Sequence, residues 1–396
     1  MLASGCTRSL QVLVPGADGS LPDGGGADGG GDGGLDAGPA PPGLSAIASS
    51  GSHVCRLDLG ALFCWGNNAS GQLGDGTRNN SLVPLRIGQR SDFVDVGIGE
   101  GFSCALDRAG TLACWGENAR GQLGQGDVVD RLDITPVPGG PWDRFDAGQE
   151  HVCAIDSSGA LYCWGNNYEG QIGLGDPFGS DDIAVPTEVT PGERYLDVAA
   201  GDGHSCAIRI DGAVYCWGRN TQAQLGLGMG SGAQIRAPTL VDPGPYARID
   251  VTQHHGCAIR ADGALFCWGE DTHGELGQGL AVGSDMVFHV PTQVGTRTDY
   301  EDVSVHWFNT CAISTSGELS CCGRGIEGQL GQGDINPSGV LLTVPYATPF
   351  DRAAVGRFHV CAQSGDTGAI CWGANADGQL GAGDTMRRNT PTATTP

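Results

Sequence analysis

The stretch Cys-Trp-Gly-Asn-Asn-Ala-Ser-Gly-Gln-Leu-Gly, residues 64–74, decides the fold because the chain repeats it seven times. Further copies begin at Cys114, Cys163, Cys216, Cys267, Cys321 and Cys371, with spacings of 50, 49, 53, 51, 54 and 50 residues. A period of this length suits one four-stranded propeller blade, in which short strands are joined by turns. The sequence therefore predicts an all-β protein, a seven-bladed β-propeller of four-stranded blades.

The fourth repeat shows how the strands follow one another inside a blade. We predict strands at residues 195–200, 204–209, 213–217 and 237–241. Asp211-Gly212 is typical of a tight hairpin, and Pro238 marks the last strand as an outer one. One such sheet cannot cover both of its faces, whereas seven packed radially can. We expect the final strand, around residues 390–392, to lock the ring against the first blade.

Fourteen of the 16 cysteines form seven pairs, one in each repeat. The pairs are Cys55 and Cys64, Cys104 and Cys114, Cys153 and Cys163, Cys206 and Cys216, Cys257 and Cys267, Cys311 and Cys321, and Cys361 and Cys371. Loops of two or three residues place the members of a pair opposite each other on antiparallel strands, within the reach of a disulfide. Zinc sites are the alternative, but the Cys-x-x-Cys knuckles that they usually show do not occur. We predict one hairpin disulfide per blade, which favours an oxidising compartment.

The residues before the repeats differ in character. Ala3-Ser4-Gly5-Cys6 resembles the lipobox of bacterial lipoproteins, so residues 1–6 are interpreted as the remnant of a signal peptide and Cys6 as a lipidation site. Residues 7–43 are rich in Gly, Asp and Pro and predict a disordered linker, which leaves residues 44–396 for the propeller. These features predict an extracytoplasmic protein at the outer membrane or cell surface, in contact with the membrane only through its anchor.

The charge of the chain limits its partners. It carries 45 acidic residues against 21 Lys and Arg, for a formal net charge of −24. Binding to phosphates requires clusters of basic side chains, so this balance argues against a nucleic-acid partner. We expect a soluble monomer with an acidic exterior.

The tryptophan of each Cys-Trp-Gly recurs so regularly that we expect it to pack between blades rather than to stack on a ligand. These residues are Trp65, Trp115, Trp164, Trp217, Trp268 and Trp372. Cys322 replaces the tryptophan in the sixth repeat and is expected to fill the same place as a small buried residue, leaving a local gap.

The motifs G-x-x-H-x-C-A, D-G-x-x-Y-C-W-G-x-N and G-Q-L-G together resemble the regulator-of-chromosome-condensation repeat, from about Ala46 to the C-terminus. The resemblance implies a seven-bladed propeller. Members of this family include a nuclear exchange factor for a small GTPase and a secreted inhibitor of β-lactamases, so the resemblance implies the fold more firmly than the function.

Histidine recurs two residues before the first cysteine of most pairs. The histidines are His53, His151, His204, His255 and His359, and Phe102 and Asn309 replace them in the other two repeats. A circle of imidazoles suits metal binding or pH sensing, but a hydrogen bond from each imidazole to a turn of its own blade explains the recurrence better. We predict no metal site and no cofactor.

Residues that deviate from the repeat are better candidates for function, because the scaffold does not require them. The sixth repeat has His306, Trp307 and Phe308 where its sisters have glycine and small polar residues. Corresponding turns carry Glu100, Phe102, Glu150, Asp202, His254 and Phe358. Because exposed aromatic side chains are common anchors of interfaces, we predict an acidic and aromatic ring that binds a protein or peptide partner. Variable loops that include Pro177-Phe178, Met229 and residues 286–288 form a second candidate surface.

No catalytic motif such as Gly-x-Ser-x-Gly or His-Glu-x-x-His occurs. The sequence therefore predicts a non-enzymatic, extracytoplasmic binding protein. A secreted enzyme inhibitor and an exchange-factor-like regulator of a small GTPase are the alternatives, and an enzyme whose site is assembled from distant blades is a third.

Overall fold

The computed structural model describes residues 46–175, 181–228, 234–365 and 368–395. Residues 1–6 with Cys6, residues 7–43, Pro177-Phe178 and Met229 lie outside these ranges. Across the described residues, no helix has the length and apolar character needed to cross a membrane.

The described residues form seven antiparallel four-stranded sheets, and each sheet is one blade built from consecutive strands. Blade 1 contains β1 (Ile47–Ser49), β2 (His53–Asp58), β3 (Ala61–Gly66) and β4 (Ser81–Arg86). Blade 2 contains β5 (Phe93–Ile98), β6 (Phe102–Asp107), β7 (Leu112–Gly116) and β8 (Arg131–Pro136). Blade 3 contains β9 (Trp142–Ala147), β10 (His151–Asp156), β11 (Leu161–Gly165) and β12 (Ile183–Glu188). Blade 4 contains β13 (Tyr195–Ala200), β14 (His204–Arg209), β15 (Val214–Gly218) and β16 (Ile235–Asp242).

The last three blades follow the same plan. Blade 5 contains β17 (Tyr246–Val251), β18 (His255–Arg260), β19 (Leu265–Glu270) and β20 (Val287–Gln293). Blade 6 contains β21 (Tyr300–His306), β22 (Asn309–Ser314), β23 (Leu319–Gly323) and β24 (Ser338–Thr343). Blade 7 contains β25 (Arg352–Val355), β26 (His359–Gln363), β27 (Ala369–Gly373) and β28 (Arg388–Ala393). The all-β, seven-bladed prediction is confirmed.

The first strand of each blade lies innermost. These strands contact the first strands of the neighbouring blades around the whole circle, and β25 contacts β1. The apolar side chains of the second and third strands are buried between adjacent sheets. The core is therefore a series of layers between blades, which explains why a single repeat cannot bury its own apolar surface.

Tryptophan joins a blade to its neighbour in every blade except blade 6, as predicted. The indole Nε1 of Trp115 donates a hydrogen bond of 2.9 Å to the carbonyl oxygen of Gln72, which belongs to the Gly-Gln-Leu-Gly turn of the preceding blade. Equivalent bonds of 2.7 to 2.9 Å link Trp164 to Gln122, Trp217 to Gln171, Trp268 to Gln224, and Trp372 to Gln329. All of these indoles are buried.

The ring closes without exchange of a strand. Strand β28 pairs with β27 inside blade 7, so residues 390–392 complete their own blade. Contacts to blade 1 come from β25 and β26, which contact β1, and from the turn before β28, where the Gly383 N–H donates to the carbonyl oxygen of Leu82 at 3.0 Å. The expectation that residues 390–392 lock the ring is therefore wrong, because they are the edge strand of a blade that is continuous in sequence.

Each blade contains one hairpin disulfide between its second and third strands. In blade 1, Cys55 lies opposite Cys64 across the two-residue turn Leu59-Gly60, and their Cα atoms are 4.1 Å apart. The other six pairs have the same Cα separation of 4.1 Å. Cys322 is a buried free thiol among the described residues, at the place that tryptophan occupies in the other blades.

Candidate partner-binding face

One end of the propeller is formed by the loops between the first and second strands of the blades. We call them the mouth loops, and they comprise residues 50–52, 99–101, 148–150, 201–203, 252–254, 307–308 and 356–358. Because the first strands line the axis, these loops surround one mouth of the ring. Glu100, Glu150, Asp202, His254, Trp307, Phe308 and Phe358 lie in the mouth loops, and His306 is the last residue of β21 beside them.

Phe102 does not belong to this surface. It is the first residue of β6, where most blades have histidine, and its side chain is 0% exposed in the core between blades 2 and 3. The prediction that Phe102 lies on the rim is wrong. The tip of this mouth loop is Glu100, and Phe102 follows it by two residues, inside the strand. It fills the place of a buried imidazole.

Four of the five buried histidines bind a hydroxyl of the neighbouring blade, and His53 in addition lies 3.3 Å from Ser50 Oγ in the turn of its own blade, as expected from the sequence. The Nε2 of His53 lies 2.9 Å from Ser103 Oγ in blade 2, and that hydroxyl donates to the Gln72 carbonyl oxygen at 2.8 Å. The hydroxyl therefore accepts from the imidazole N–H. The same link joins His151 to Ser205 and His255 to Thr310, at 2.8 and 3.0 Å.

Burial lowers the pKa of each of these histidines to about 3, so the rings are neutral near pH 7. Among the described residues, no group of three or more His, Cys, Asp or Glu side chains is arranged to hold a metal ion. Four of these histidines link neighbouring blades through a hydroxyl, whereas neither ring nitrogen of His204 has a hydrogen-bond partner among the described residues.

The mouth loops of blades 2 to 4 are acidic. Glu100, Glu150 and Asp202 lie there, and Glu117 follows β7 beside them. Burial raises the pKa of Glu117, and the negative charges of Glu150 and Glu100 raise it further. Burial also raises the pKa of Asp202. The positive charge of Arg219 lowers this pKa, and the negative charge of Glu100 raises it further. The carboxylates themselves make this half of the mouth an acidic surface.

The mouth loops of blades 5 to 7 carry an aromatic cluster instead. The ring of Phe308 stacks on His254 with centroids 5.5 Å apart, and the ring of His273 packs against Phe308 with centroids 4.4 Å apart. Trp307 meets Phe308 edge to face at 5.4 Å and contacts Phe358 at 6.3 Å. All five side chains are half-buried. We call Trp307, Phe308, Phe358, His254 and His273 the aromatic patch.

Two arginines that sequence reasoning missed stack on the aromatic patch. The guanidinium of Arg357 lies 3.5 Å from the centroid of Trp307, and that of Arg324 lies 4.9 Å from the centroid of Phe358. Arg357 occupies the same loop place as Glu100 and Asp202, so alignment of the seven repeats would have identified it. Arg324 follows β23 and reaches the patch from a different segment, which the repeat pattern alone does not reveal.

The backbone of Trp307 has a φ of +48°, which residues with a side chain rarely adopt. The Trp307 N–H donates to Thr252 Oγ1 of the neighbouring blade at 2.8 Å, which holds the turn. A bulky residue in this conformation costs about 1 kcal/mol relative to glycine. The fold therefore does not explain the tryptophan.

The innermost strands carry a ring of charges that was not anticipated. From blade 2 to blade 7, equivalent residues alternate in sign as Asp95, Arg144, Asp197, Arg248, Asp302 and Arg352. Arg352 Nη1 lies 3.2 Å from Asp302 Oδ2, and Arg144 Nη1 lies 4.0 Å from Asp197 Oδ1. Alternation surrounds the axis with opposite charges, which limits the cost of burying them. This ring is part of the scaffold.

The second candidate surface is only partly described. Met286 is exposed, whereas Phe288 lies in β20 and packs against the core between blades 5 and 6. These residues do not join the aromatic patch.

Comparison with known proteins places the chain in a family. It matches the RCC1-like domain over residues 35–282 and the regulator of chromosome condensation (RCC1) repeat over residues 262–313. It is 29% identical over 308 residues to the ultraviolet-B receptor UVR8 of Arabidopsis thaliana, covering 75% of this chain and 57% of UVR8. It is also 32% identical over 143 residues to the E3 ubiquitin-protein ligase HERC2 of Mus musculus, covering 35% of this chain and 3% of HERC2. The chain thus spans about half of UVR8 and a small part of HERC2.

Solved structures share the fold. Human WBSCR16 superposes with a TM-score of 0.75 at 21% identity, covering 85% of this chain and 94% of that one. Yeast RCC1 (Prp20), solved in a complex with Kap60, superposes with a TM-score of 0.74 at 19% identity, covering 84% of this chain and 83% of that one. With the domain match extending over more than half of its residues, the chain belongs to the RCC1-like domain family.

Proposed function

We propose that this chain is a non-enzymatic binding protein that recognises a protein or peptide outside the cytoplasm. In this proposal the propeller is tethered through a lipid on Cys6 and the linker of residues 7–43, and the mouth loops of blades 5 to 7 form the binding face. Seven hairpin disulfides support an oxidising compartment, because such bonds persist there and are rare in the cytosol.

The aromatic patch is the observation that carries the proposal. Interfaces are enriched in Trp, Tyr and Arg, and their binding energy concentrates in a few such residues. Here Trp307, Phe308 and Phe358 lie together on the mouth with two arginines, whereas the tryptophans between blades are fully buried. Because Trp307 also occupies a strained backbone position, a requirement other than folding explains it best.

Relatives support the class of function rather than the partner. Yeast RCC1 was solved bound to Kap60, and Prp20p of Saccharomyces cerevisiae was studied for binding to Gsp1p and histones. Those partners belong to those proteins. A binding role on a rigid propeller is the part that we extend to this chain, with the partner to be identified by experiment.

Capture of binding proteins tests the proposal. The full oxidised chain is immobilised and exposed to envelope and secreted proteins of its source, in parallel with Trp307→Gly and Leu240→Ala variants. Glycine suits the left-handed turn, so Trp307→Gly removes the aromatic anchor without adding strain. Leu240 is an exposed apolar residue of β16 and provides the matched control.

We expect a protein that is retained by the wild-type chain and by Leu240→Ala, and at least about tenfold less by Trp307→Gly, as for a hot-spot residue. Equal retention by all three chains would remove the aromatic patch from the proposal. If the captured protein is a hydrolase that loses its activity on binding, the chain is an enzyme inhibitor rather than a scaffold.

A further inference from the structure

Two guanidinium groups at the aromatic patch lack the partners that arginines of this chain usually have. Arg90 and Arg352, for example, pair with nearby aspartates, as an excess of acidic residues would lead one to expect. Arg324 and Arg357 form no ion pair with any carboxylate of the described residues, and their contacts are with aromatic rings. Two positive charges without a direct carboxylate partner among the described residues thus lie at one place on an acidic protein, and the nearby Glu270 pairs with His254 instead.

Stacking leaves the hydrogen-bonding capacity of these arginines unused. A guanidinium that lies on a ring uses its face, while its five N–H donors point outward in the plane of the group. Among the described residues, the buried Nε of Arg357 has no hydrogen-bond partner. Paired N–H donors in one plane match the two oxygens of a carboxylate, and the resulting charge-assisted bonds are stronger than neutral ones.

The rings beside the arginines form an apolar wall. Arg357 lies over both Trp307 and Phe358, and Arg324 lies over both Phe358 and Phe308. A ligand carboxylate held by the guanidinium groups would therefore lie next to aromatic rings that can contact an adjacent apolar group. The imidazole of His254 is already engaged, because its Nδ1 lies 3.1 Å from Glu270 Oε2.

The opposite half of the mouth limits the length of an anionic ligand. Glu100, Glu117, Glu150 and Asp202 lie on blades 2 to 4, and the charge of Asp202 interacts with Glu100 on one side and with His254 on the other. A long polyanion such as a nucleic acid would meet this acidic half and be repelled. A short acidic segment that carries its charge at one point would not.

Resting on the proposed function, we propose that the aromatic patch binds an acidic peptide segment of the partner. A Glu or Asp carboxylate bridges Arg324 and Arg357, and a neighbouring aromatic or aliphatic side chain packs against Trp307 and Phe308. Charge complementarity fixes the chemistry of this segment, and the aromatic wall requires an apolar residue next to the acid.

Tryptophan fluorescence offers a direct measurement. Trp307 is half-buried, while the other seven tryptophans are 4% exposed or less, so a ligand at the mouth acts on one accessible indole. The probe is the capped peptide acetyl-Gly-Glu-Phe-Glu-Gly-amide, titrated into the full chain at low salt. The same peptide with glutamine in place of glutamate is the matched ligand control.

We expect the glutamate peptide to bind at least about tenfold more tightly than the glutamine peptide, as loss of charge-assisted hydrogen bonds implies. Arg357→Gln and Arg324→Gln should each remove most of this preference, while Arg86→Gln on the outer strand β4 should leave it unchanged. Added salt should lower the affinity for the glutamate peptide more than the affinity for the glutamine peptide.

Several results would overturn the inference. Equal affinity for the two peptides, or a preference that survives both arginine substitutions, would exclude carboxylate recognition by this pair. Tighter binding of a single-stranded oligonucleotide, or concentration-dependent dimerisation lost in Trp307→Gly, would assign the patch to another occupant. If peptides fail to bind but partner capture still depends on Trp307, then this inference fails and the proposed function stands.

Discussion

Trp65 in the first blade donates its indole N–H to the carbonyl oxygen of Gln379 in the last blade at 2.9 Å, although 314 residues separate them. His359 Nε2 lies 2.7 Å from Ser49 Oγ across the same junction, 310 residues away. The tryptophan bond repeats those found between consecutive blades elsewhere in the ring. The histidine bond uses a hydroxyl of the first strand instead, because Val54 of blade 1 stands where blade 2 has Ser103. The chain therefore closes the circle with the same tryptophan link that joins its interior blades and with a histidine link to a different strand.

Removing the indole N–H at the closing junction should cost as much as removing it inside the ring. Trp65→Phe leaves the buried Gln379 carbonyl without its donor and loses packing, so we expect a loss of about 1 to 3 kcal/mol in the free energy of unfolding. Trp217→Phe at the junction of blades 3 and 4 is the matched comparison. Urea unfolding of both variants measures this. A negligible effect of Trp65→Phe beside a large effect of Trp217→Phe would show that the closing bond contributes little.

The disulfides should stabilise each hairpin and leave few thiols. The Cys206→Ser, Cys216→Ser double variant opens a loop of ten residues, for which loop entropy predicts a loss of about 2 to 3 kcal/mol. Thiol titration of the denatured, unreduced chain should find one group from Cys322, and a second only if Cys6 is unmodified. About fourteen free groups would contradict both the disulfides and the extracytoplasmic proposal.

Repetition explains what the sequence could reveal of the fold and what it could not. The register of Cys55 with Cys64 follows from local hairpin geometry, so the sequence alone predicted it. The partner of His53 is a hydroxyl fifty residues away, Ser103, and only packing between sheets brings the two together. Phe102 was wrongly assigned to the rim because burial between sheets is also invisible in the sequence. It lies only two residues after the loop tip, yet its side chain is fully buried.

The candidate site shows the same division. Trp307 and Phe308 were identified because they deviate from their sister repeats. Arg324 and Arg357 belong to different blades and join Phe358 only in three dimensions, so no spacing along the chain indicates their contact. Residues that break a repeat can thus be identified from sequence, whereas the groups that complete their site require the structure.

Substitutions at Cys322 and Leu341 should have coupled effects on the free energy of unfolding. Leu341 takes the place of a proline found in most sister repeats, and both side chains lie close to the Gly277 position that contacts a tryptophan in the other blades. Cys322→Trp alone would overpack the junction, and we expect a loss of about 1 to 3 kcal/mol. Adding Leu341→Pro, which matches the sister blades, should recover part of it. A double-mutant cycle from urea unfolding measures this coupling, and strictly additive effects would refute it.

Glu275 stands where the other six repeats have glutamine. Its side chain is fully buried, and its Oε2 accepts the His273 N–H at 2.6 Å. Its Oε1 has no hydrogen-bond partner in the part of the chain that the structure describes. Burial raises the pKa of Glu275 to about 8. At neutral pH the side chain is therefore mostly protonated and imitates the neutral glutamine of its sisters.

Glu275→Gln should stabilise the protein at alkaline pH and change little in acid. In the unfolded chain the pKa of a glutamate is about 4.3, so between that value and about 8 the folded state holds a proton that the unfolded state releases. The stability of the wild-type protein therefore falls as pH rises through this window, and the variant escapes that loss. Urea unfolding should give similar free energies for both chains at pH 4 and an advantage of about 2 kcal/mol or more for the variant at pH 8.5. Gln379→Glu, which places a carboxyl at the equivalent site of blade 7, should lose stability with rising pH. An advantage of Glu275→Gln that did not change with pH would show that the carboxyl is not held neutral by burial.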